Sequence, residues 1–194
     1  MTSEQARPFR ILAVCTGNIC RSPAAELLLQ RALGPSVHVT SAGTGALVGE
    51  PIDPAMATLL HQDGLDTAEF SAHQLTAAMI RDADLVLPMT RHHRAAIVEL
   101  VPAAVRRTFT LLEFAHVLQS LPEHSGQALQ TPDERLRALL PAATASRSST
   151  GRDLDEWDVP DPYRQSDKAF QQAFSLVRTA TEGITRTLRR VNER

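Results

Sequence analysis

The chain has 194 residues, 43% of them hydrophobic, and its 20 basic and 22 acidic side chains leave a formal net charge of −2. That length and apolar content suit one domain with one well-filled core, and the near-neutral balance gives no sign of a nucleic-acid partner. Two cysteines, Cys15 and Cys20, are too few for a secreted disulfide framework; no stretch reaches the roughly 20 apolar residues of a membrane helix, and MTSEQARPF lacks a signal peptide's apolar core, so a cytoplasmic protein without a membrane partner is expected.

FRILAVC (9–15) is a short apolar run and reads as a buried strand. AAELLLQRAL (24–33) has helical composition and is stopped by Gly34-Pro35. VHVTSAG (37–43) reads as a second strand, followed by a Gly-rich loop and by a helix over 54–64 that ends at Gly64. ADLVLPM (83–89) is a third buried strand, and RHHRAAIVELV (91–101) a helix closed by Pro102. RTFTLLEFAHVL (107–118) reads as a fourth strand running into a helix, and residues 167–188 as a long amphipathic final helix. Strands alternating with helices predict an α/β fold, an open parallel four-stranded sheet with helices on both faces. Residues 1–8 read as a flexible tail. Residues 119–155, rich in Ser, Thr, Pro, Gly and charge, read as an irregular insertion, although TPDERLRALL within it suits a helix with Thr131 as N-cap and Pro132 at the first position.

In an open α/β sheet, ligands bind where strands end and helices begin. CTGNICRSP (15–23) falls at such a junction. Gly17 and Asn18 tolerate left-handed backbone, so the loop can curl and point successive N–H groups inward as an anion nest. Pro23 suits the first turn of the next helix, whose positive end faces the same hollow. Arg21 adds a bidentate fork for phosphate-like oxygens, and a thiolate at Cys15 would be favoured on the floor of that cup. Alone, a cysteine at a strand end reads as buried packing and an arginine as surface charge. The collection of thiol, Gly, Asn, Arg, Ser and Pro at one strand-to-helix turn favours an anion-handling nucleophile instead.

The run VCTGNICRSPAAE resembles the Cys-x5-Arg-Ser signature of the low-molecular-weight protein tyrosine phosphatases, and SAG (41–43), RDADLVLPMTRHHR and DPY (161–163) follow in the family's order. The resemblance spans about residues 9–118 and 156–190, and implies that residues 1–194 form a single phosphatase domain needing no metal or organic cofactor. It implies that Cys15 attacks phosphorus to form a cysteinyl-phosphate. Arg21 and the N–H groups of Thr16, Gly17, Asn18, Ile19 and Cys20 would hold the equatorial oxygens. Ser22 would hydrogen-bond the thiolate, Asn18 and Ser41 would brace the loop, Asp161 would act as general acid and then base, and Tyr163 would stack beside the substrate ring. The second thiol, Cys20, matches a family position that can form a protective disulfide with the nucleophile; plain small packing is the other reading. Asp161-Pro162 alone reads as a turn, with Asp158 and Asp155 as nearby rivals for the acid and Trp157 as a packing anchor for that loop.

The expected partner is a phosphotyrosine protein, with partner docking on 119–155 as a further possibility. Ala46, Leu47 and Val48 stand where animal members carry a pocket aromatic, so one wall should be aliphatic. His73 fits a supporting family histidine only with a shift and stays outside the expected site. His92 and His93 read as an exposed helix start, since two adjacent histidines are poor evidence for a metal site. Arg164 takes the place of a second aromatic after DPY. Two rivals share the Cys loop. Arsenate reductases of the thioredoxin-coupled kind need further cysteines downstream, and none follows Cys20, which leaves only a small-thiol-dependent reductase. Protein-arginine phosphatases carry Thr where this chain has Ile19, a residue that favours an aryl phosphate. A small phosphorylated metabolite is a further alternative substrate, and a non-catalytic phosphate-binding module would need no acid at Asp161.

Overall fold

Three parallel strands carry the molecule. The computed structural model describes residues 7–121, 131–147 and 157–190. Strands β1 (Phe9–Cys15), β2 (Val37–Gly43) and β3 (Leu85–Pro88) pair in the order β2-β1-β3. The β1–β2 register runs from Phe9↔Val37 to Cys15↔Gly43, and β1–β3 from Ile11↔Leu85 to Val14↔Pro88. The chain leaves β1 on one side to make β2 and crosses back to the other side for β3. This puts the reversal of strand order, and hence the crevice, at the C-terminal end of β1, beside Cys15.

The unbroken apolar run of β1 is explained by two cores. Phe9, Ile11, Ala13 and Cys15 pack into the larger one, with residues of α1 (Arg21–Leu33), α2 (Pro54–Gln62), α5 (Leu111–Ser120) and α7 (Asp167–Arg190). Leu12 and Val14 point the other way, onto Ile80 of α3 (Ala77–Asp82), Ile97 of α4 (Arg91–Leu100) and Ala104. Helices therefore cover both faces of the sheet, as expected. α7 lays Phe170, Ala173, Phe174, Val177, Ile184 and Leu188 against the first core, the spacing of an amphipathic helix.

Three expectations change, and one short helix is added. The fourth strand is reduced to one parallel bridge, Val86↔Thr108, because a 3-10 helix occupies Pro102–Arg107 and Thr110 already caps α5. The Thr110 hydroxyl accepts from Glu113 N–H, and the Glu113 carboxylate accepts from Thr110 N–H. That reciprocal cap ends the ladder after a single residue. α3 begins at Thr76, whose side chain accepts from Met79 N–H; its single turn and a half was too short to show as a period. Within 119–155, helix α6 spans Pro132–Ser146 and runs through Pro141. Leu136, Leu139 and Ala143 fall on one face and enter the main core, so this part is not irregular; residues 122–130 and 148–156 lie outside the described residues. Residues 1–6 of the expected tail lie outside them too, while Arg7 is held by both guanidinium nitrogens on Asp84, at 2.9 and 2.7 Å. Among the described residues no helix is long and apolar enough to cross a membrane.

Candidate active site

The loop after β1 is shaped by its carbonyls. Those of Cys15, Thr16, Gly17 and Ile19 accept from Thr44, Gly45, Leu47 and Asp53 N–H respectively, at 2.8–3.0 Å. Across a planar trans peptide, N–H and C=O point in opposite directions. Carbonyls tied outward to the β2–α2 loop therefore turn the amides inward, and no loop or turn hydrogen bond among the described residues is donated by an N–H of residues 16–20. α1 starts at Arg21, so its positive end closes the same hollow. The left-handed residue is Asn18 (φ 56°), not Gly17. Gly43 is fixed by proximity: a Cβ there would lie 2.3 Å from the Thr16 carbonyl oxygen.

Behind the loop a chain of polar groups ends on the thiol. Asn18 Nδ2 donates to Ser41 Oγ (2.7 Å) and Ser22 Oγ (3.0 Å), and its Oδ1 accepts from His73 N–H (2.7 Å). Ser41 donates to Glu26 (2.5 Å). Ser22 Oγ, already accepting from Asn18, stands 2.9 Å from Cys15 Sγ; its own proton is free to be donated to sulfur. These bonds tie Asn18 to Ser41, Ser22 and the His73 backbone. His73 does take part, through its backbone. Glu26 was not singled out from sequence; its one signal was an acid inside the apolar helical run AAELLL. Burial raises the Glu26 pKa against the hydrogen bond from Ser41.

Arg21 is 3% exposed. It donates to the Val159 carbonyl at 3.0 Å and pairs with Asp161 at 2.8 Å, while its Nε is buried without a partner among the described residues. An unsatisfied guanidinium N–H in a cleft is what an arriving oxyanion would satisfy. Asp161 is half exposed and also accepts from Tyr163 N–H at 3.2 Å. Its rival Asp158 is committed elsewhere, accepting from Arg91 N–H at 2.8 Å at the start of α4, and Asp155 lies outside the described residues. Trp157 is buried, with its ring 5.3 Å from that of His116 in α5, and Val159 N–H reaches the Met89 carbonyl at 2.8 Å. These contacts anchor the segment that presents Asp161 to Arg21.

The cleft between loop and segment is lined by Thr16, Arg21, His93, Asp158, Val159 and Asp161, among others. His93 corrects an expectation: it is 2% exposed, not on an exposed helix start. Its Nε2 is 2.9 Å from Thr16 Oγ1 and its Nδ1 2.7 Å from Thr90 Oγ1. Burial, then the Arg21 and His92 charges, push its pKa down to about 4, against Asp161 and Asp158. Only the spacing Thr90-x-x-His93 hinted at this in the sequence. Tyr163 is exposed, its ring 5.1 Å below the Arg164 guanidinium, and is not among the residues lining the cleft. Leu47 and Val48 are exposed on the loop that buttresses residues 15–17, and neither is among the residues lining the cleft. Ile19 is buried, and Cys15 and Cys20 are both buried free thiols. Burial, and then the Asp53 carboxylate, raise the Cys20 pKa strongly.

Comparison with known proteins gives this geometry a context. The family model "Low molecular weight phosphotyrosine protein phosphatase" matches residues 10–126. The chain is 33% identical to the low molecular weight protein-tyrosine-phosphatase Wzb of Salmonella typhi, over 87% of this chain and 86% of that one. Among solved structures, the YwlE arginine phosphatase of Geobacillus stearothermophilus superposes with a TM-score of 0.70 at 30% identity, covering 94% of both chains. Vibrio vulnificus Wzb in complex with benzylphosphonate superposes with a TM-score of 0.66 at 28% identity, covering 92% of this chain and 97% of that one. The doubly wound sheet with its Cys-x5-Arg loop is thus that of a phosphatase, an enzyme that hydrolyses phosphoric monoesters. Within that class, the chain belongs to the low molecular weight phosphotyrosine protein phosphatase family.

Proposed function

We infer that this enzyme dephosphorylates phosphotyrosine in proteins of the cytoplasm through a covalent intermediate on Cys15. The observation that supports the reading is the 2.8 Å contact of Arg21 with Asp161, by which a carboxyl group of the segment before α7 stands beside the loop that carries Cys15. In the first step Cys15 sulfur bonds to phosphorus while the P–O(aryl) bond breaks. Asp161 gives its proton to the leaving phenolate oxygen. In the second, water attacks the cysteinyl-phosphate, Asp161 takes the water's proton, the S–P bond breaks, and Ser22 stabilises the departing thiolate. Arg21 and the N–H groups of residues 16–20 hold the equatorial oxygens throughout, where transition-state charge is spread. Tyr163, outside the cleft lining but exposed two residues after Asp161, would stack on a substrate ring that projects from the cleft. Cys20 sits one position before the clamp; were a peroxide to oxidise Cys15 to its sulfenic acid, the Cys20 thiol would attack that sulfur, forming the S–S bond and expelling water.

A tyrosyl leaving group is supported by Ile19, which stands where the resemblance puts Thr in arginine phosphatases, and by the relative Wzb of Vibrio vulnificus, solved in complex with benzylphosphonate. The overlap with an arginine phosphatase makes phosphoarginine the second reading. The test is metal-free hydrolysis of p-nitrophenyl phosphate with chelator present, followed by phosphotyrosine, phosphoserine and phosphoarginine peptides. Turnover is expected in wild type. Cys15→Ser is expected to abolish it, and Asp161→Asn to lower kcat by roughly 10²–10⁴. Preference for phosphoarginine would replace the tyrosine reading, and no turnover by reduced wild type would remove both.

A further inference from the structure

We propose that His93 is a positioning residue that turns the Thr16 hydroxyl into a hydrogen-bond donor for the bound phosphoryl group. The inference rests on the phosphatase reading and adds a side-chain ligand to a loop otherwise treated as a backbone nest. Thr90 caps α4, accepting from His93 N–H at 3.3 Å, and the same oxygen lies 2.7 Å from His93 Nδ1. A hydroxyl has one proton. The oxygen's second lone pair could accept from Nδ1 as well, but Thr90's own proton would then have no acceptor among its bonds in the described residues; giving that proton to Nδ1 satisfies it and leaves Nδ1 bare. The ring proton therefore sits on Nε2, which donates to Thr16 Oγ1 at 2.9 Å. Thr16 is left with its own O–H to give, and Thr16 is exposed and lines the cleft beside Arg21.

The opposite tautomer works against the site. With the proton on Nδ1, Thr90 has no acceptor for its hydroxyl among its hydrogen bonds in the described residues, and Thr16 must spend its proton on Nε2. Its lone pairs would then meet the phosphate. The surroundings keep the ring neutral: it is buried, Arg21 and His92 oppose a second proton, and the opposite pull of Asp161 and Asp158 is the smaller. An imidazolium would still donate to Thr16, but would lose its bond from Thr90.

Long-range ¹H–¹⁵N spectra of the wild-type enzyme at pH 7 read the tautomer directly, with His93→Gln assigning the ring. Bare Nδ1 and protonated Nε2 are expected; a proton on Nδ1 overturns the proposal. Inorganic phosphate affinity, by titration calorimetry and competitive inhibition, reads the consequence. Thr16→Val is expected to weaken phosphate about tenfold, the usual loss for one hydrogen bond to a charged acceptor. His93→Leu should do the same, the double variant no more than either, and His93→Gln, whose amide can still donate, should recover part. Unchanged phosphate affinity in Thr16→Val, or additive losses in the double variant, sink the idea. Because tautomer and phosphate binding are read without turnover, their failure is separable from a failure of the phosphatase reading itself.

Discussion

The residue that most tightly constrains the Cys loop carries no functional group. A methyl on Gly43 would meet Thr16 O at 2.3 Å and Ala46 Cα and Cβ at 3.0 Å. Two of these are backbone atoms, so no side-chain rotation relieves the overlap and the loop itself must shift. Gly43→Ala is expected to lower kcat/KM by roughly 100-fold, the scale of a 1 Å misplacement of reacting groups, and to cost about 1–3 kcal/mol in urea unfolding. Gly45→Ala, two residues on, places its Cβ near nothing within 4 Å and should stay close to wild type in both. Wild-type activity in Gly43→Ala would show that the loop tolerates displacement. Cys15, Arg21 and Asp161 could be singled out in the sequence because each is a chemical type set in a local signature. The sequence disclosed His93 and Glu26 poorly because their meaning lies in partners, Thr16 and Ser41, that chain folding alone brings near. Asp158 and Asp161 look alike in sequence; in the structure Asp158 accepts from Arg91 N–H at the start of α4, whereas Asp161 pairs with Arg21.

At the scale of elements, periodicity revealed whatever was long and amphipathic, and missed what tertiary contact decides. β1, β2 and α7 fall where their apolar spacing puts them. The fourth strand failed because a capping box at Thr110 outcompetes ladder pairing. α6 was half hidden by a Ser, Thr and Pro-rich composition. An interior proline costs a helix about 3 kcal/mol, yet α6 continues through Pro141. Burying Leu136, Leu139 and Ala143 offsets that cost, since full burial of one leucine side chain stabilises by about 1.5–3 kcal/mol. Arg135 adds a bond to the Leu188 carbonyl at 2.6 Å, which ties α6 to α7. Leu139→Ala should therefore destabilise the whole domain by about 2–5 kcal/mol, seen as a lower urea midpoint with an unchanged m-value. An effect under about 0.5 kcal/mol would mean that α6 is a surface appendage rather than part of the core.

At the scale of the whole molecule, one parallel sheet separates two cores, and the site lies where both end. The second core reaches the site through α4, whose first turn carries His93, so stability and site chemistry share a titrating group. The free imidazole titrates near 6.5 in the unfolded chain and only at about 4 in the folded one. Between those values the unfolded state holds the extra proton, so acidification favours unfolding. Stability should fall as pH drops from about 6.5 to about 4, by about 3 kcal/mol at most from this one group. Glu26 acts with the opposite sign. Its raised pKa means that the folded state holds the extra proton just above the ordinary glutamate range, so its contribution falls as pH rises there. The two windows overlap, and the wild-type curve alone cannot separate them. Urea unfolding of wild type and His93→Gln from pH 4 to 8 does, because both proteins keep Glu26. The stability difference between them should be largest at neutral pH and shrink steadily toward pH 4. A difference independent of pH would show that His93 titrates alike in both states, and that the buried ring beside Arg21 is not held neutral by the fold.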